Sequence, residues 1–130
     1  MPLRFRFETS FGAVTEKSFL LAQVFGDEGS WGIAECVAEE HPYYLPETNG
    51  TVAHVIRDFL APLVLGHTFR SPSETDAVLA RIRGHEMAKA VLEMAIWDLF
   101  ARSKTEALSV TLGGVRRRTI PAGVSIGLQP

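Results

Sequence analysis

Between His85 and Ser103 lies the most apolar stretch of the chain, and no other segment limits the fold as strongly. Ala88, Val91, Leu92, Ala95, Ile96 and Leu99 recur at helical spacing, and Met87, Met94, Trp97 and Phe100 widen their stripe. Only Glu86, Lys89 and Glu93 form a clear polar stripe. A helix with so little polar surface has to be covered on several sides, so it is expected at the centre of a bundle. Asp98 is the exception: at 100° per residue it falls roughly opposite Lys89, on apolar surface. A carboxylate there needs donors. A structural role is expected, with bonds arriving from a neighbouring helix end or loop.

The rest of the chain supplies the covering elements. From Glu16 to Phe25 the pattern is β-like, with Phe19, Leu21 and Phe25 on one face and Leu20, Ala22 and Val24 on the other. Asp27-Glu28-Gly29-Ser30 signals a turn, Trp31 to Ala38 reads as a second strand, and the two should pair as an antiparallel hairpin. Residues 39–47 form a loop fixed by Pro42 and Pro46. Val52, Val55, Ile56, Phe59, Leu60 and Leu63 then share one helical face, ended or kinked by Pro62 and Gly66. Ser71-Pro72-Ser73-Glu74 is a helix start with a capping-box pattern, and that helix should run to about Arg83 and stop at Gly84. A short helical turn is expected from Glu106 to Leu112, ending at Gly113-Gly114. Residues 1–14 show little pattern beyond Phe5, Phe7 and Phe11 alternating with polar residues up to Gly12. Ile120 to Ile126 reads as a lone buried strand with no partner nearby in sequence, the start of something else. A hairpin, then helices, then a lone strand is an α+β order.

Composition removes whole classes of function. Lys plus Arg is 13 and Asp plus Glu is 15, so the net charge is -2. No basic face for nucleic acid is indicated, and Arg116, Arg117 and Arg118 read as a solvated turn. Cys36 is the only cysteine, which excludes an intrachain disulfide and a multi-cysteine zinc site and suits a reducing cytoplasm. No signal peptide is read, since Arg4, Arg6 and Glu8 interrupt the N-terminus, and no apolar run of about 18 residues points to a membrane. There is no P-loop, no Gly-x-Gly-x-x-Gly, no His-Glu-x-x-His and no nucleophile elbow. His41, His54, His67 and His85 are scattered, and packing or capping is the expectation for His85.

Specific residues carry the reading further. The run Arg83-Gly84-His85-Glu86-Met87-Ala88-Lys89-Ala90, with Leu92-Glu93-Met94-Ala95 and Trp97-Asp98-Leu99, resembles the o-succinylbenzoate synthase / N-acylamino acid racemase family of the enolase superfamily. Thr9-Ser10-Phe11-Gly12 is similar to that family's first mobile loop, Glu35-Cys36-Val37 to the end of its hairpin, and Pro42-Tyr43-Tyr44 to its second loop. Leu112-Gly113-Gly114, Pro121 and Gly123-Val124-Ser125-Ile126-Gly127 are similar to the approach to its barrel. The chain departs from the pattern at Gly32-Ile33-Ala34-Glu35, where the family usually has Gly-Trp-Gly-Glu. It departs again around Thr105, where a glycine is usual. Its start at Met1-Pro2-Leu3 suggests that the meander lacks a strand.

The resemblance implies an α+β enolase-like N-terminal capping domain, an antiparallel hairpin or meander plus a helical bundle, over residues 1–118. Residues 119–130 would be the first strand of a truncated (β/α)₈ barrel. In such enzymes a barrel lysine removes the proton α to a carboxylate, and a divalent metal, usually Mg²⁺, stabilises the resulting enediolate. After Lys104 this chain has no lysine and after Glu106 no acid. A barrel takes about 250 residues, so base and Mg²⁺ site are expected beyond Pro130, with no catalytic residue and no metal ligand in this chain. By resemblance, Phe7 and Phe11 in the first loop, Tyr44 in the second and Ser125 near the end of the first barrel strand would bind substrate. Without the family, Phe7, Phe11 and Tyr44 read as ordinary packing residues.

The implied whole protein is an o-succinylbenzoate synthase-like lyase of menaquinone synthesis acting on a small carboxylate. The alternative is an N-succinylamino acid racemase, or more distantly a muconate cycloisomerase or dipeptide epimerase. A free-standing binding or assembly module is the non-enzyme alternative, and association with a second copy stays open.

Overall fold

The computed structural model describes residues 1–9 and 12–124, Thr9 by its backbone. Two antiparallel hairpins and a layer of helices give the expected α+β architecture. The first hairpin pairs β1 (Pro2–Thr9) with β2 (Gly12–Glu16); Phe7 stands opposite Val14, and Thr9 opposite Gly12. Reciprocal backbone bonds close its base: Lys17 N–H donates to Met1 O at 2.9 Å, and the Met1 ammonium donates to Lys17 O at 2.8 Å. Pro2–Thr9 is therefore a strand, which corrects the expectation of a missing one. It pairs with β2 and not with the second hairpin.

The second hairpin pairs β3 (Leu20–Phe25) with β4 (Trp31–Cys36), from Leu20 opposite Cys36 to Phe25 opposite Trp31, across the expected turn. Its inner face carries small residues: Ala22, Val24, Gly32, Ala34 and Cys36, together with Leu20. The larger Leu21 and Phe25 point outward, 59% and 71% exposed. Gly32 explains this choice. β4 lies so close to α4 (Glu86–Ser103) that a Cβ on Gly32 would run into Ala95 O and Leu99 N, with Leu99 Cα at 2.8 Å. At that separation bulky side chains have no room between the layers.

α4 is the central helix, as its sequence requires. Val91, Leu92, Ala95 and Ile96 are buried, and Val91, Leu92 and Ile96 join Val52, Val55, Leu60, Leu79 and Cys36 in one core. Asp98 is structural. Its Oδ2 accepts from Ile33 N–H at 2.9 Å and from Arg102 Nε at 2.7 Å. Arg102 in turn lies over the Trp31 ring, 4.0 Å from its centroid. The donors are thus a strand amide and a side chain one turn along, not the helix end or loop that was expected.

The helix after the 39–47 loop has three parts: α1 (Asn49–Val55), a π-helical stretch Ile56–Leu60, and α2 (Ala61–Val64). Pro62 accounts for the wide turn. In an α-helix its ring would clash with the Asp58 carbonyl and leave it without a donor. Opening the turn, with Ala61 N–H donating to Ile56 O, removes that conflict. The extra width also shifts the phase of the apolar stripe, so Phe59, expected on the buried face, is 50% exposed.

α3 (Glu74–Leu79) is shorter than the segment expected to reach Arg83. Glu74 bonds the backbone N–H of Arg70 at 3.0 Å rather than that of Ser71, so the reciprocal half of the capping box falls one residue earlier. α5 (Leu108–Thr111) sits inside the expected turn. Residues 120–124 are not a buried strand: Ile120 is 73% and Val124 is 87% exposed. The remainder of that expected strand lies outside the described residues.

Thr105 links α4 to α5 at φ 54°, a left-handed conformation in which a β-branched side chain is strained. Its side chain is exposed, so little packing opposes the strain. Thr105→Gly is expected to stabilise the chain by about 1 kcal/mol, read as a higher urea midpoint at unchanged slope. A midpoint that fell would show that the strain is not there.

Candidate functional site

The loop of residues 39–47 is built from its two ends. At one end Asn49 N–H donates to Glu39 O at 3.0 Å and closes the base. At the other end two adjacent residues cap two different helices. Thr48 caps α1 in a reciprocal box: Thr51 N–H donates to its Oγ1 at 3.2 Å, and Thr48 N–H donates to Thr51 Oγ1 at 2.8 Å. Glu47 reaches α4, where its carboxylate oxygens accept from Met87 N–H at 2.8 Å and Ala88 N–H at 3.1 Å. The residue at the start of α4 makes no side-chain cap of its own, because His85 is held at φ 57° with no such bond. A helix N-terminus has amides without intrahelical partners and favours negative charge. Glu47 supplies both the acceptors and the charge.

Between these anchors the tip of the loop stands in solvent. Tyr43 and Tyr44 are 85% and 80% exposed. The His41 and Tyr43 rings sit 5.4 Å apart. Beside the loop is a depression of about 200 Å³ whose border includes Lys17, Glu39, His41, Tyr44, Leu45 and Glu47. Lys17 Nζ is 3.9 Å from Glu39 Oε1 across it. Of the expected substrate contacts, Tyr44 alone among the described residues borders it.

The expected site residues are only partly brought into view. Phe7 lies on β1 and is 58% exposed. Among the described residues no ring contact joins Phe7 to Tyr44. Phe11 and Ser125 lie outside the described residues. Glu47 was not among the residues singled out from sequence. Its partners are 40 and 41 positions away, and an acid just before the Thr48 cap reads as local to α1.

Elsewhere one cluster of titratable groups is engaged internally. On α1 and the wide turn, Asp58 takes Arg57 at 2.6 Å and His54 Nδ1 at 2.7 Å. The Arg57 hydrogen bond holds that carboxyl below the usual carboxylate range. Among the described residues no three His, Cys, Asp or Glu side chains come together to hold a metal ion. No helix among the described residues is long and apolar enough to cross a membrane.

Comparison with known proteins gives this geometry a context. The sequence profile described as Mandelate racemase / muconate lactonizing enzyme, N-terminal domain, matches residues 1–113. The o-succinylbenzoate synthase of Bacillus subtilis (strain 168) is 42% identical over 130 residues, covering 100% of this chain and 35% of that protein. The N-succinylamino acid racemase of Thermus thermophilus is 45% identical over 130 residues, again covering 100% and 35%. A solved enolase-superfamily member from Listeria innocua superposes with a TM-score of 0.89 at 37% identity, covering 98% of this chain and 34% of that one. One from Enterococcus faecalis V583 gives 0.86 at 40% identity, with the same coverage. The chain spans about a third of the length of the curated relatives it matches.

Proposed function

Because the chain belongs to the mandelate racemase / muconate lactonizing enzyme N-terminal domain family of the enolase superfamily, we propose that it is the capping portion of an o-succinylbenzoate synthase-like lyase. In this reading residues 1–118 close over a barrel that residues 119–130 begin, and the cap shapes the substrate pocket. The observation that carries it is identity of 42% to a synthase along all 130 residues. The racemase at 45% identity keeps N-succinylamino acid racemisation as the second reading. Both reactions remove a proton α to a carboxylate, so one cap could serve either.

Within this proposal Phe7, Phe11 and Tyr44 line the substrate pocket, Phe11 and Tyr44 roof the non-reacting part of the substrate, and Ser125 touches the substrate from the barrel side. A loop held at its base with its tip in solvent, as residues 39–47 are, suits such a role for Tyr44. Mg²⁺ and the proton-abstracting lysine belong to the barrel portion. Cytoplasmic location goes with the reading, supported by the single unpaired thiol.

The test is a chimera in which these 130 residues replace the corresponding third of the Bacillus subtilis synthase. It is expected to dehydrate the synthase substrate and to need Mg²⁺, and assay with N-succinylamino acids decides between the two reactions. The 130 residues alone are expected to give no turnover with either substrate and no saturable Mg²⁺ isotherm by calorimetry. A folded chimera without either activity, or metal-dependent turnover from the chain alone, would overturn the capping role.

A further inference from the structure

Resting on that capping role, we propose that Glu47 is the positioning residue for the Tyr44 loop: its carboxylate ties the loop to the N-terminus of α4 and sets where Tyr44 stands over the pocket. α4 is the most deeply covered helix, with Ala88, Val91 and Ala95 fully buried, and so is the fixed frame of the domain. Glu47 takes two successive amides of its first turn, at 2.8 and 3.1 Å. Bonds from N–H groups to an ionised acceptor are the stronger kind, and two from one carboxylate fix direction as well as distance. The other end of the loop returns to the same place through the Asn49–Glu39 bond. Both ends of the loop are therefore referred to α1 and α4, and among the described residues Glu47 is the one side chain of the loop with a hydrogen bond to α4's first turn. Tyr44 is three residues away, without a ring contact among the described residues, so its position follows the backbone that Glu47 holds.

A cap that merely stabilised α4 would change stability and leave substrate binding alone. A positioning residue acts through Tyr44, and that difference can be measured in the chimera. Glu47→Ala is expected to raise KM about tenfold with kcat held within about twofold. Glu47→Gln keeps acceptor capacity and is expected to recover part of the loss. Tyr44→Ala should raise KM similarly, and adding Glu47→Ala to it should add little, because the two changes act on one unit. Unchanged KM in Glu47→Ala, or additive losses in the double variant, would overturn the proposal.

An NMR experiment on the 130-residue chain is independent of the enzyme reading. In Glu47→Ala the Met87 and Ala88 amide resonances should shift and the order parameters of Tyr43 and Tyr44 should fall, with Val91 unchanged. Unaltered order parameters at Tyr43 and Tyr44 would show that Glu47 does not hold the loop, whatever the chimera does. If the wild-type chimera proves inactive, the capping role fails, and the NMR result alone decides whether the loop is tethered.

Discussion

Gly32→Ala is expected to lower the urea midpoint of this chain far below that of the wild type. The added Cβ would overlap Ala95 O and Leu99 N and come within 2.8 Å of Leu99 Cα. These are backbone atoms of the central helix, not the ends of flexible side chains, so no rotamer change can relieve the clash. Either β4 or α4 has to move, and the core between them, including Cys36, Val91, Leu92 and Ile96, opens with it. Domains of this kind are stable by about 5–15 kcal/mol in total, and overpacking against fixed backbone falls at the exceptional end of single substitutions, at about 4 kcal/mol or more. Gly50→Ala is the control. Its Cβ would meet only Thr48 Oγ1, at 3.7 Å, in a helix where Ala is preferred by about 0.5–1 kcal/mol. Urea unfolding followed by far-UV circular dichroism separates the two. A Gly32→Ala chain with a wild-type midpoint would show that the layers are not in the contact described.

Leu92→Ala is expected to destabilise the chain by about 2–5 kcal/mol. Leu92 is 4% exposed and lies on the side of α4 that faces the core, so truncation leaves a cavity between helices that are tied to one another and cannot collapse freely. Met94 lies on the same helix but is 48% exposed. Met94→Ala should therefore stay within about 0.5 kcal/mol, as surface changes do. Equal effects from the two would mean that α4 is rotated from the position described.

α4 was legible in the sequence because its apolar surface is nearly continuous and leaves only one way to satisfy it. The second hairpin was legible because alternation and a turn signal coincide. Which of its faces is buried was not legible. Size alone favours Leu21 and Phe25, but Gly32 brings the strand so close to α4 that Leu20, Ala22 and Val24 fit instead. The first hairpin escaped pattern reading because its strands bury too little to impose an alternation; Arg4 to Glu8 are all exposed. The π-helical stretch follows from Pro62, which was read as an end or kink, while the helix in fact widens and continues. Thr105 was noticed as standing where glycine is usual, and its positive φ gives the reason. Glu47 could not be found from local sequence, since a cap delivered from 40 residues away leaves no spacing to read.

The buried position of Cys36 makes this chain its own reporter. Its sulfur is the single thiol, it is 2% exposed, and it sits at the end of β4 against the core. An alkylating reagent can meet it only when that strand lifts away from the helix, so the labelling rate clocks an opening event that spectroscopy of the whole fold does not resolve. No cysteine has to be introduced and none removed. Any substitution elsewhere in the chain can thus be ranked by how often it lets the strand leave, independently of whether it lowers the overall melting point.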